Sequence, residues 1–438
     1  MATVAPDMPP AGEGVIPKAT PLYRQGPVLR LILVAFLAEL AYGVLNISTM
    51  PVYLKYDRSF GEGLIGLVFV AFLLSEAIFK GPMGHRADRY GPKLLMTVGP
   101  SISVVTSLLT LFVPRTGGTF GEVAAFLALR GLDGLGAAML WPAAYAFVGE
   151  TVNDVNRQRA MSALNLCYLV GIAFALPLGG AINDLTGTRA ASMILACGLF
   201  ACVALTVHFF IPSRSVSTEA APSEGGLADL VRSLRTIPTY LLLAAATFIG
   251  IGLPMAIVKL FAYDQFNMSE SAFGGLVLPA VLLMACLNGV MTRIGEQVGR
   301  ARSVHIGMGL CTIGMSLIGL GAITTQLQKP WVLAVGAIPV GIGFLLTIPA
   351  WMASVSDIDP TRRGANIGAV MTAQGLGAII GAPLGGLAYQ KLPSVGVHLG
   401  LGPAFGRYSP FLGCAACLAF GWILSLRILH DGPRTPTS

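Results

Sequence analysis

Val28-Leu-Arg-Leu-Ile-Leu-Val-Ala-Phe-Leu-Ala-Glu39-Leu-Ala-Tyr42-Gly-Val-Leu-Asn46-Ile-Ser-Thr-Met50 is almost wholly apolar, with Arg30 and Glu39 as its charges. Crossing a hydrocarbon core takes roughly 20 helical residues, and this stretch is long enough. Similar runs follow at about 63–83, 94–113, 122–148, 160–183, 190–212, 239–261, 271–293, 303–324, 331–354, 364–389 and 410–429. In lipid every backbone polar group must be satisfied internally, and these runs are too long and too uniformly apolar for barrel strands. An all-α membrane protein of twelve spans is expected. Composition agrees: of 438 residues 54% are hydrophobic and 11% charged, too little charge for a soluble surface of this size.

Residues 1–27 are rich in Pro, Gly and Ala and lack a signal-peptide pattern, so they read as a retained cytoplasmic tail. The hydrophilic stretch 213–238 divides the chain into bundles of six spans at 28–212 and 239–429, followed by a tail at 430–438. The net charge of +7 could indicate nucleic acid, but most of the 28 Lys and Arg residues fall on the side that holds the N-terminus. The positive-inside rule then places both termini and the linker in the cytoplasm. The seven cysteines all lie in apolar runs, where a thiol packs as a small hydrophobe; this includes Cys414-x-x-Cys417.

The halves resemble one another. Gly84-x-x-x-Asp88-Arg89 is similar to Gly295-x-x-x-Gly299-Arg300 at an offset of 211. Gly134-Leu-Gly136 with Pro142 is similar to Gly341-Ile-Gly343 with Pro349 at 207, and Pro177-Leu-Gly179-Gly180 to Pro383-Leu-Gly385-Gly386 at 206. Internal repeats are common in transporter folds. These prolines can mark bends, and the glycines close helix contacts.

Gly84-His-Arg-Ala-Asp88-Arg89-Tyr-Gly91-Pro92-Lys93 resembles the loop between the second and third helices of the major facilitator superfamily. Arg130-Gly-Leu-Asp133-Gly134-Leu-Gly136 resembles the Arg-containing motif of its proton-coupled members. The segment from Gly171 to Gly180 is similar to the antiporter motif with its proline displaced by one position, and Pro92 replaces a usual basic residue in the loop. The resemblance covers nearly the whole chain and implies two pseudo-symmetric six-helix bundles with a binding site near the bilayer midplane. It also implies a cytoplasmic gate of Gly84, Asp88, Arg89, Gly91 and Lys93, in which Asp88 latches onto the start of the eleventh helix near Arg362-Arg363-Gly364. A loop that merely fixes topology is the alternative.

A charge inside a span costs at least about 2.5–3.5 kcal/mol at a helix centre and is expected to face a cavity or a partner. Glu39, Arg130 and Asp133 are the deepest. At 1.5 Å per residue, Glu39 lies about 16 Å from one edge and Arg130 about 12 Å from the other, so their depths nearly coincide in a core about 30 Å thick. A midplane site is therefore expected, in which Arg130 acts on a carboxylate as a proton switch; a local Arg130–Asp133 pair is the alternative. Tyr42, Asn46 and Gln374, together with Asn165, Tyr168 and Asn288, can line the cavity or join helices. Glu76 and Lys80 have the spacing of a helical ion pair, and Lys259 reads as a cation reaching for the interface.

No phosphate-binding glycine loop, no cofactor motif and no His or Cys cluster with metal-ligand spacing occurs, so an ion gradient is the expected driving force. The leading expectation is a monomeric secondary transporter of the bacterial inner membrane, not an enzyme, that exports an amphiphilic or drug-like compound in exchange for protons. Uptake of a sugar or organic anion, lipid flipping and a sensor without transport are the alternatives.

Overall fold

The computed structural model describes residues 26–152, 154–213, 235–358 and 363–430. Among them are twelve helices long and apolar enough to span a membrane. The first six are α1 (Gly26–Asp57), α2 (Glu62–Tyr90), α3 (Pro92–Phe112), α4 (Phe120–Thr151), α5 (Asp154–Thr186) and α6 (Ala190–Phe210). The second six are α7 (Pro238–Met255), α8 (Glu270–Val298), α9 (Arg300–Gly319), α10 (Pro330–Ile358), α11 (Arg363–His398) and α12 (Pro403–Ile428). No strand occurs among the described residues. The fold is all-helical, as expected.

Three boundaries differ from the sequence reading. The first span runs on to Asp57 through two π-helical stretches, Gly43–Thr49 and Tyr53–Asp57. The eleventh continues to His398, since Pro393 bends it without ending it. The seventh stops at Met255, just after Pro254, and a separate short helix, Val258–Phe266, carries Lys259.

The helices alternate in direction, so the bundle has a linker end, where α6 stops and α7 starts, and a far end. At the linker end tight turns join α2 to α3 at Gly91 and α9 to α8 at Gly299, with φ of 87° and 105°. Such values suit a residue without a Cβ. These turn glycines are 208 positions apart, so the repeat there runs at 208 and not at the 211 of the sequence match.

Each half has its own apolar core. One gathers Val34, Leu45, Phe126, Phe147 and Phe200; the other Leu243, Val304, Trp351 and Val370. The repeat recurs in the packing. Gly99 of α3 meets the Gly136 carbonyl of α4, and Gly307 of α9 meets the Gly343 carbonyl of α10. Large apolar side chains such as Phe112, Phe209, Ile313 and Ile423 point outward, the arrangement a lipid solvent permits.

The halves meet along two edges, α2 with α11 and α5 with α8. On the first, Gly386 lies against the Glu62 carbonyl and Gly66 against Pro383; on the second, Gly180 lies against the Glu270 carbonyl and Gly274 against Pro177. The Pro-Leu-Gly-Gly repeats are therefore the surfaces by which the halves touch.

Candidate functional site

Arg130 of α4 is 1% exposed, and its guanidinium is held from three helices. It donates to Asp133 Oδ2 and to Asn46 Oδ1, both at 3.1 Å, and to Thr110 Oγ1 at 3.0 Å, while Nε has no partner among the described residues. Asn46 in turn donates to Asp133 at 3.1 Å, and Thr106 donates to the other carboxylate oxygen. Breaking one partner out of such a set leaves an uncompensated buried charge, which costs about 3–5 kcal/mol. The cluster is thus a rigid, neutral tie of α1, α3 and α4. Tyr42, one helical turn before Asn46, shares a hydrogen bond with Ser103 of α3 at 3.0 Å.

Glu39 is placed differently. It is 5% exposed, its Cβ faces Gly171 of α5, and no hydrogen-bond partner for its carboxylate is found among the described residues. The charges that act on it are Glu76 and Lys80 of α2, and Arg130 is not among them. The expected Glu39–Arg130 switch is therefore not what the structure brings together, and the local Arg130–Asp133 pair is present instead. Similar depth did not mean a shared face.

Beside Glu39 the bundle has a recess. Tyr168 of α5 is 40% exposed, yet it lies in the field of Glu39, Glu76 and Tyr145 from α1, α2 and α4. A side chain ringed by three helices and still open lines a concavity. Trp141 stacks edge-on against Tyr168 with ring centroids 5.4 Å apart. Glu76 accepts from Lys80 at 2.8 Å, the helical pair the spacing predicts. In the other half Gln374 of α11 is 206 positions after Tyr168, the offset of the Pro-Leu-Gly-Gly repeat. Its buried Nε2 has no partner. Glu76, Trp141 and Tyr145 were not singled out for the cavity; their shared signal is polar or aromatic character at mid-span.

At the linker end, Gly84 faces Pro142 of α4, and Arg89 lies over the Tyr90 ring at 5.4 Å. Gly91 forms the turn and Pro92 and Lys93 open α3. The side chain of Asp88, its expected partner Arg362 and the side chain of Asn165 lie outside the described residues, and the latch with them. Gly134 meets Phe72, Gly179 meets Ser48 and Gly385 meets Leu253, each a close contact between helices.

The far end holds what the sequence reading missed. Lys259 does not reach for the interface: it is 3% exposed and donates to Glu270 at 2.7 Å and to the Ser48 carbonyl and hydroxyl. Glu270 also accepts from Asn183 at 2.9 Å and from Arg189 at 2.8 Å, and Arg189 pairs with Asp57 at 2.8 Å. Asp264 accepts from Tyr56 of the first half and, at 2.9 Å, from Tyr389 of the second. Ser48, Tyr56, Asn183 and Arg189 belong to the first half, and Lys259, Asp264 and Glu270 to the second. These bonds close the far end.

Comparison with known proteins agrees with this architecture. The Major Facilitator Superfamily model matches residues 31–382 and 240–437. Multidrug resistance protein 2 of Bacillus subtilis (strain 168) is 24% identical over 371 residues, covering 81% of this chain and 86% of that protein. The proton-coupled antiporter flippase LtaA of Staphylococcus saprophyticus is 22% identical over 372 residues, covering 83% and 88%. Among solved structures, the nucleoside transporter NupG superposes with a TM-score of 0.72 at 14% identity, covering 92% of this chain and all of that one. A bacterial homologue of the lysosomal transporter Spinster, inward-facing and unoccupied, gives 0.69 at 16%, covering 95% and all of that chain. With twelve spans in two repeated halves and a family match over nearly its whole length, this chain belongs to the Major Facilitator Superfamily, and is a multi-pass membrane transporter and not an enzyme.

Proposed function

We propose that this transporter exports an amphiphilic compound across a bacterial plasma membrane in exchange for protons, with Glu39 as the proton carrier. The observation that carries the reading is a buried carboxylate without a hydrogen bond or a cation of its own, beside an aromatic recess. An ionised carboxylate in such surroundings is costly, and either a proton or a cationic group of a substrate relieves the cost. One site that takes either, but not both, is an exchanger. Tyr168, Trp141 and Gln374 supply apolar faces and polar tips for a substrate of mixed character. Arg130, Asp133 and Asn46 hold the wall of the recess in register.

The halves, 28–212 and 239–429, rock about this site as rigid bodies, with the tails 1–27 and 430–438 and the linker 213–238 in the cytoplasm. The protein works as a monomer. The names of relatives in Bacillus and Staphylococcus, a multidrug resistance protein and a proton-coupled antiporter flippase, fit this reading and also favour lipid flipping as a second one. Uptake of an anion fits less well, because Asp133 and Asn46 already saturate Arg130 on its inner side.

Proteoliposomes with an imposed pH gradient, screened over lipophilic cations, neutral amphiphiles and labelled lipids, test the proposal. Gradient-driven flux of an amphiphile is expected, and Glu39→Gln should abolish its dependence on the gradient while leaving expression normal. Undiminished proton-driven flux in that variant would remove Glu39 from the mechanism.

A further inference from the structure

Opening the far end must separate Arg189 from Glu270, because the first belongs to one half and the second to the other. Separating a buried ion pair usually strands two charges. Here it does not, since each half carries a counter-charge of its own. Arg189 keeps Asp57, which ends α1 in the same half, and Glu270 keeps Lys259. The bonds lost are those from Arg189 and Asn183 to Glu270, from Lys259 to Ser48 and from Ser271 to Asp184.

From this arrangement we propose that Asp57 is a release residue of the far-end closure: it holds Arg189 within its own half so that the halves part without stranding a cation. The inference rests on the reading of the chain as an alternating-access transporter, but on no assignment of substrate or coupling ion. In the closed state Arg189 is shared between Asp57 and Glu270, 2.8 Å from each. In an open state only Asp57 is left to it. Removing the Asp57 charge therefore penalises both states, and the open state more. It also removes the repulsion between Asp57 and Glu270 that exists only when the end is closed. Both effects favour closure, so loss of an ion-pair partner tightens the contact. Glu270 has the opposite role, because its charge joins the halves. Lys259 also bonds Ser48 across the contact, so its removal mixes the two effects and Asp57 is the discriminating position.

The Ser271 amide reports opening without a substrate or a gradient. It lies in the first turn of α8, where an N–H has no acceptor within its own helix, and it donates across the contact to Asp184 at 2.9 Å. Hydrogen exchange of the segment around Ser271, in the full chain in lipid nanodiscs, is the measurement. Asp57→Asn should slow exchange by about threefold to tenfold at low salt, where charges are least screened. Asp57→Glu should restore the native rate, and Glu270→Gln should raise it. Faster exchange in Asp57→Asn, or a rate unchanged from the native one, would overturn the proposal. A failure of Glu39→Gln to alter flux would leave this test unaffected, because no proton gradient enters it.

Discussion

Along α2 and α11, Gly386 lies on the Glu62 carbonyl and the Gly63 amide donates to Gln390; along α5 and α8, Gly180 lies on the Glu270 carbonyl and the Ser271 amide donates to Asp184. Each pair of equivalents is 206 or 208 positions apart, so one backbone contact has been used twice. The side chains were not kept. Glu62 pairs with Lys55 of its own half, whereas Glu270 gathers Lys259, Arg189 and Asn183 from both halves. The repeat supplies the fit, and divergence at a few side chains makes one edge a lock and leaves the other a bearing.

The largest test of that contrast is charge removal on the two edges. Glu270→Gln leaves Lys259 buried without its anion and should lower stability by about 3–5 kcal/mol, while Glu62→Gln, whose partner Lys55 is partly exposed, should cost at most about 1 kcal/mol. Thermal unfolding in one detergent compares them, and equal losses would mean that the edges do not differ in kind. A smaller and symmetric effect is expected from bulk. Alanine at Gly180 or at Gly386 would overlap the facing carbonyl, and overpacking of this sort costs about 1–3 kcal/mol of the closed state. Flux in proteoliposomes should fall to a similar extent in both variants. A silent Gly386→Ala beside an inactive Gly180→Ala would break the equivalence of the two contacts. Smallest of all is Glu76→Gln, which removes a half-exposed pair inside one helix and should change stability by about 0.3–0.5 kcal/mol. A larger loss there would show that ion pairs within a half carry as much as those between halves.

The fold was legible because lipid leaves the backbone so little choice. Twelve apolar runs could only be helices, and the collinear repeats divided them in two. Lys259 was misread because Pro254 breaks the seventh span before it, and a cation near a span end ordinarily reaches for water. Glu39 and Arg130 were paired on depth alone. Distance along a helix follows from counting residues, but the direction in which a side chain points depends on how helices turn against one another. Asp57, Arg189 and Glu270 escaped notice for a related reason: charges beside span ends are what headgroups lead one to expect, and nothing local distinguishes a solvated carboxylate from one that ties two halves together.

The π-helical stretches of α1 bear on the same question of direction. The Met50 amide reaches back to the Leu45 carbonyl and the Arg58 amide to that of Tyr53, each five residues away where a regular helix would use four. Such a turn is wider, so the stripes of side chains before and after it fall out of phase. Glu39 and Asn46, seven apart and in line on a regular helix, are delivered to different neighbours, one toward Gly171 and the other toward Arg130. Were the wide turns to tighten, everything beyond them would rotate about the helix axis like a screw. Ser48 would swing away from Lys259 while Glu39 stayed where it is. A single helix thus contains a joint whose twist links the carboxylate in mid-membrane to the seal at its end.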